Sequence, residues 1–176
     1  MSDGFVESLI SSGEDGAALT NTTTPTSIIP YSRKIVLPGA VYWDRVNKRL
    51  RGFASGRIST FSAPGTLTLD LRLGSAIVFN GGASPTLVAS QTNLTWRLDF
   101  DLQLRGIGAT ATLLGTAELK TLALTGGLML MPASAPAVGA TFDSTAALTL
   151  DLFATWSVAS ASNSIQNHQF TLETGT

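Results

Sequence analysis

Thr66-Leu67-Thr68-Leu69-Asp70-Leu71-Arg72-Leu73 is the stretch that decides the fold. In an extended strand successive side chains point to opposite faces, so the four leucines share one face while Thr66, Thr68, Asp70 and Arg72 share the other. A helix would scatter the same leucines around its axis. The pattern returns in Leu94, Trp96, Leu98, Phe100, Leu102 and Leu104, set against Thr95, Arg97, Asp99, Asp101, Gln103 and Arg105. It returns again in Leu148, Leu150, Leu152, Ala154, Trp156 and Val158. Long strands with one dry and one wet face belong to antiparallel sheets, because a parallel sheet is covered on both faces.

Turn-forming clusters separate these strands: Ala63-Pro64-Gly65, Asn80-Gly81-Gly82, Gly126-Gly127, and Pro132 to Gly139. Weaker strands fit Gly52 to Phe61, Ala76 to Phe79, Thr86 to Val88, Ala111 to Leu124 and Ser164 to Glu173. Within these, Leu113 to Leu124 also suits a helix, since Leu119 and Leu122 fall on one helical face. The total of about eight strands predicts an all-β, antiparallel β-sandwich of jelly-roll-like size.

Residues 1–38 differ in composition from residues 39–176. They carry Ser11-Ser12-Gly13, the run Asn21 to Thr24, and Pro25, Pro30 and Pro38. Proline lacks the N–H that a strand interior needs, which predicts an extended N-terminal arm ahead of a sandwich domain over 39–176 that folds without it. The spacing after Asp3 suits a short capped helical turn through Phe5, Val6, Leu9 and Ile10, and Ile28, Ile29 and Tyr31 form a second apolar patch. These seven side chains are too apolar for an idle linker. They are the candidate partner-binding residues, with folding back onto the chain's own domain as the alternative.

Composition narrows the function. Eleven basic and twelve acidic residues give no polybasic footprint for nucleic acid or anionic membrane. Only 13% of residues are charged, against ~25% in ordinary soluble domains, which suits a subunit whose faces neighbours cover. There is no cysteine, so disulfides and thiolate metal sites are excluded. Asp3 and Glu7 stand where a secretory signal carries basic residues, and the apolar stretch Leu122 to Ala140 is broken by Gly126, Gly127, Pro132 and Pro136, so neither export by a usual signal nor a membrane-spanning helix is expected.

Motifs with chemistry read as structure. Gly106-Ile107-Gly108-Ala109-Thr110-Ala111 matches a dinucleotide fingerprint after a strand, yet no acidic residue follows about 20 positions on, so a glycine-kinked turn is expected and no cofactor. Asp99 and Asp101 share a strand face roughly 6–7 Å apart, within the range of glycosidase carboxylates, but Arg97 and Arg105 flank them and predict a solvated charge ladder. His168 is the single histidine and reads as a core-edge or interface residue with a hydrogen-bonded ring, on one strand face with Phe170 and Leu172. Trp96 and Trp156 fall on the apolar strand faces. Trp43 alone is left as a surface aromatic for a carbohydrate-binding module. No catalytic or metal-ligating residue is assigned, and no enzyme activity is expected.

The run Gly56-Arg57-Ile58-Ser59, followed by Ala63-Pro64-Gly65 and continuing to Gly74, resembles a stretch of small virion structural proteins of tailed bacteriophages. Thr95-Trp96-Arg97-Leu98, Phe142 to Ala147, Trp156-Ser157 and Ala161 to Ile165 resemble further landmarks of that family, so the likeness spans Gly52 to Leu172. These landmarks are turns and strands and carry no catalytic residue over. The resemblance implies a virion component assembled in the bacterial host cytoplasm: a trimeric decoration or head-fibre protein bound to the major capsid protein or other virion proteins, with a tail or baseplate part as the alternative. Small residues such as Gly81-Gly82 and Ala133 to Ala137 would allow close packing at a symmetry axis.

Overall fold

The structure, a computed structural model, describes residues 6–132 and 141–175. In chain order its strands are β1 (Val6–Ser12), β2 (Leu19–Thr20), β3 (Thr26–Ser27), β4 (Ile35–Leu37), β5 (Arg49–Ser59), β6 (Leu67–Leu73) and β7 (Ala76–Asn80). They continue with β8 (Leu94–Gly106), β9 (Ala111–Thr121), β10 (Leu128–Met131), β11 (Thr141–Phe142), β12 (Leu148–Trp156) and β13 (Ser164–Gly175). A short 3-10 turn, Tyr31–Arg33, precedes β4. The expected strands form except at Thr86 to Val88, where a single bridge joins Leu87 to Leu124. Ala111–Thr121 is a strand, which settles the helix alternative.

Two antiparallel sheets make the sandwich. Sheet A runs β1-β13-β5-β8-β9-β10, with β2 also on β13 and β11 also on β9. Sheet B runs β3-β12-β6-β7, with β4 also on β12. The alternation read from the sequence places Leu67, Leu69, Leu71 and Leu73 of β6 in the core, opposite Trp96, Leu98, Leu102 and Leu104 of β8. Trp96 and Trp156 are completely buried, and each indole N–H donates to a backbone carbonyl, of Gln166 at 3.1 Å and of Leu19 at 3.3 Å. Gly52 lies under Phe100, whose ring would sit 2.5 Å from a Cβ there, and this close fit lets Phe100 stack on Phe170 at 6.2 Å.

The N-terminal segment is the main departure from expectation. No helical turn forms at Val6; β1 pairs along β13 from Val6 with Gly175 to Ser12 with Phe170. The chain then crosses to the other sheet, where Thr26 pairs with Ala154 and Ile35 with Leu150 of β12. Leu19, Ile28, Ile29 and Leu37 are buried in the common core. Pro25 and Pro38 limit β3 and β4 to two and three residues, as the missing N–H requires, but they do not stop the segment from docking. The extended arm is therefore corrected to the fold-back alternative: residues 6–37 contribute strands to both sheets of their own domain.

Asp151 ties this segment down. It lies nearly buried on β12, accepts from Ser27 Oγ at 2.7 Å and pairs with Lys34 Nζ at 2.7 Å. A buried carboxylate is tolerated only when paired, so Ser27 and Lys34 must be in place for β12 to be stable.

Trp156→Ala should cost about 3–5 kcal/mol in denaturant unfolding, through lost burial and the lost anchor to Leu19. A chain beginning at Gly39 should lose cooperative unfolding, because it exposes the β12 and β13 edges and empties the sites of Ile28, Ile29 and Leu37. A sharp thermal transition like that of the full chain would refute the assignment of residues 6–37 to the core.

Candidate functional site

Sheet A turns a broad six-strand face to solvent, and its centre holds the carboxylates singled out in the sequence. Asp99 accepts from Arg97 Nε at 2.9 and 3.0 Å and lies 3.7 Å from Lys120 Nζ. Arg97 in turn stacks over the Phe53 ring at 4.0 Å. Asp101 is held by Arg49 Nε at 2.7 Å and Arg51 Nε at 3.0 Å, and Lys120 also pairs with Glu118 at 2.7 Å. A shallow groove between Asp99, Asp101, Thr116 and Leu130 runs across this ladder.

This arrangement has a chemical consequence. The hydrogen bonds from Arg97 hold the Asp99 carboxyl below its usual range, with burial acting in the opposite direction. A general acid of a glycosidase needs a raised carboxyl, so Asp99 is tuned away from that role and toward permanent ion pairing.

The other sequence-selected residues scatter. Of the seven candidate partner-binding residues, Phe5 lies outside the described residues. Val6 is exposed on β1, Leu9 and Ile10 are half-buried against the core, Ile28 and Ile29 are core residues, and Tyr31 is 90% exposed on the 3-10 turn. No single surface gathers them. Trp43, read as a surface aromatic, is instead buried, with its ring edge-on to Phe142 at 5.6 Å, because the loop before β5 folds under β11. A bulge between Asn167 and Gln169 shifts the register of β13, so His168 faces away from Phe170 and Leu172 and its Nδ1 contacts Asp15. Gly106 to Gly108 is the expected turn: Gly108, at φ +105°, accepts from Ser144 N at 3.0 Å. Ala133 to Ala137 lie outside the described residues.

Sequence reasoning missed the apolar rim of this face. Leu128 and Leu130 of β10 are 47% and 58% exposed, and Leu122, just after β9, is 76% exposed. Leu128 stands opposite Lys120 and Leu130 opposite Glu118, so these leucines continue the outward face of β9. The signal was present: no charged residue occurs between Lys120 and Asp143. Among the described residues no helix is long and apolar enough to cross a membrane. No protein-family model and no curated protein matches the chain.

Asp99→Asn should remove a stabilising contribution of below about 1 kcal/mol. The folded carboxyl titrates below its ordinary 3.8, so the contribution is present above that value and lost as pH falls through the lower folded value. Thermal melts of the two proteins should differ near neutral pH and converge at strongly acid pH. A gap that persists unchanged in acid would show that the Arg97 pairing is not its source.

Proposed function

We propose that the chain is a non-enzymatic structural protein of a tailed-bacteriophage virion, a trimeric decoration or cement protein seated on the outside of the capsid. The observation that carries the reading is where apolar side chains are exposed. A chain with only 13% charged residues leaves Tyr31, Leu122, Leu128 and Leu130 at its surface, while its central carboxylates are engaged by arginines of the same face. Large exposed apolar side chains in a weakly charged surface are what a subunit presents to its neighbours. The resemblance over Gly52 to Leu172 supplies the virion context, and its landmarks coincide with turns and strands of the sandwich rather than with a cleft.

A tail or baseplate position uses the same surfaces and differs only in location. An adhesion module for glycans is favoured by one observation, the exposed ring of Tyr31, and weakened by the burial of Trp43, Trp96 and Trp156.

Cryo-EM of the phage particle whose genome encodes the chain tests the proposal. Sandwich-shaped density in groups of three on the capsid exterior is the expected result. The same density on the tail would replace the capsid reading with the tail reading, and a purified virion lacking the chain by mass spectrometry would overturn both.

A further inference from the structure

We infer that β10 is a docking edge for the β10 of a second copy of this chain, the two strands pairing antiparallel about a two-fold axis at Met129. Strand β10 ends sheet A among the described residues. Exposed sheet edges are normally guarded by lysine, proline or a bulge that turns the strand away. Here the edge reads Leu128-Met129-Leu130-Met131 with no charge, and Pro132 stands only at its end.

The hydrogen-bonding phase of β10 shows what the edge offers. Thr121 N–H donates to Gly127 C=O at 3.0 Å, which makes 121 and 127 a hydrogen-bonded pair of the β9–β10 ladder. Such pairs alternate along an antiparallel ladder, so Met129 and Met131 also bond toward β9. The N–H and C=O groups of Leu128 and Leu130 therefore point away from β9, toward the open side. They present two donors and two acceptors at strand spacing, which is the complement of another extended strand.

The side chains select the same chain as that strand. A joint that keeps outward residues outward must pair positions of equal face, and antiparallel pairing about Met129 does so: Leu128 meets the second copy's Leu130, Leu130 meets its Leu128, and Met129 meets Met129. Each of the two outward cross-strand rows then reads Lys120, Leu128, the second copy's Leu130, the second copy's Glu118, so opposite charges close the two ends of both. The contact is isologous, as a two-fold interface requires. A three-fold contact elsewhere on the chain together with this two-fold edge would tie trimers to one another across a surface; the edge itself does not depend on the virion reading.

Two variants of the full chain test the joint. Leu128→Lys with Leu130→Lys changes only exposed side chains and places four lysines across the joint of two copies. In sedimentation equilibrium the unaltered protein should have twice the mass of this double variant where the variant is a monomer, and a larger multiple where the variant is itself an oligomer with several β10 edges. Met129→Cys, in a chain without other cysteines, puts two sulfurs in a non-hydrogen-bonded pair with Cα atoms about 4.5 Å apart, within disulfide reach. Mild oxidation should link copies in pairs on a non-reducing gel, while Val6→Cys on the opposite edge of sheet A should not. Equal masses for the unaltered protein and the lysine variant would overturn the docking edge. A lower mass for the lysine variant without the Met129→Cys cross-link would overturn the two-fold register.

Discussion

The backbone hydrogen bonding at the edges of the two sheets governs most of this structure. A strand at the end of a sheet exposes a row of N–H and C=O groups that must find partners or remain in water, and a two-sheet sandwich has four such edges. The N-terminal segment meets two of them. It lays β1 and β2 on β13 of sheet A, crosses over, and lays β3 and β4 on β12 of sheet B. At the third edge β7 lies against β9, where Gly115 has no side chain and Val78 O lies 2.7 Å from where its Cβ would be. The fourth edge is β10, and the face beside it is where the exposed leucines gather.

The crossing segment also explains why a nearly buried carboxylate is tolerated on β12. Asp151 is nearly buried yet accepts from Ser27, from Lys34 and from the Leu152 N–H, so its desolvation is offset by three partners, two of them delivered by the N-terminal segment it helps to hold. Asp70 is a contrasting case. It accepts from Arg72 at 3.1 Å while its Oδ1 has no partner among the described residues, and Arg72 stacks on Phe153 at 4.0 Å on the outward face of sheet B. Outward position and exposure are thus separate properties: long neighbours on a flat sheet face can cover a short carboxylate.

The same distinction bears on function. Charges on the outward face of sheet A neutralise one another in fixed pairs, which leaves little net field to attract a highly charged ligand. The remaining surface chemistry is apolar contact and open backbone, both suited to other protein subunits. That balance supports the proposed assembly role, and it agrees with the low charge of the whole chain.

Strand character was legible in the sequence because alternation is a local property: the leucines of β6 and the tryptophans at 96 and 156 declare their faces within a few residues. The Arg97–Asp99 pair was legible for the same reason, since the two are neighbours on one strand, whereas Asp101 is held by Arg49 and Arg51 of β5 and not by the expected Arg105. What the chain as a whole decided was non-local. Prolines at 25, 30 and 38 mark where strands must stop, but only the pairing with β12 and β13, more than a hundred residues away, shows that Ile28 and Ile29 are core. Trp43 is buried by Phe142 from a distant strand, and a single-residue bulge in β13 turns His168 outward against an alternation that predicted otherwise. The leucines of β10 sit in an uncharged run that the sequence displays openly; their exposure is fixed by the register that sets them beside Lys120 and Glu118 on the outward face, and strand pairing is a property of the assembled fold.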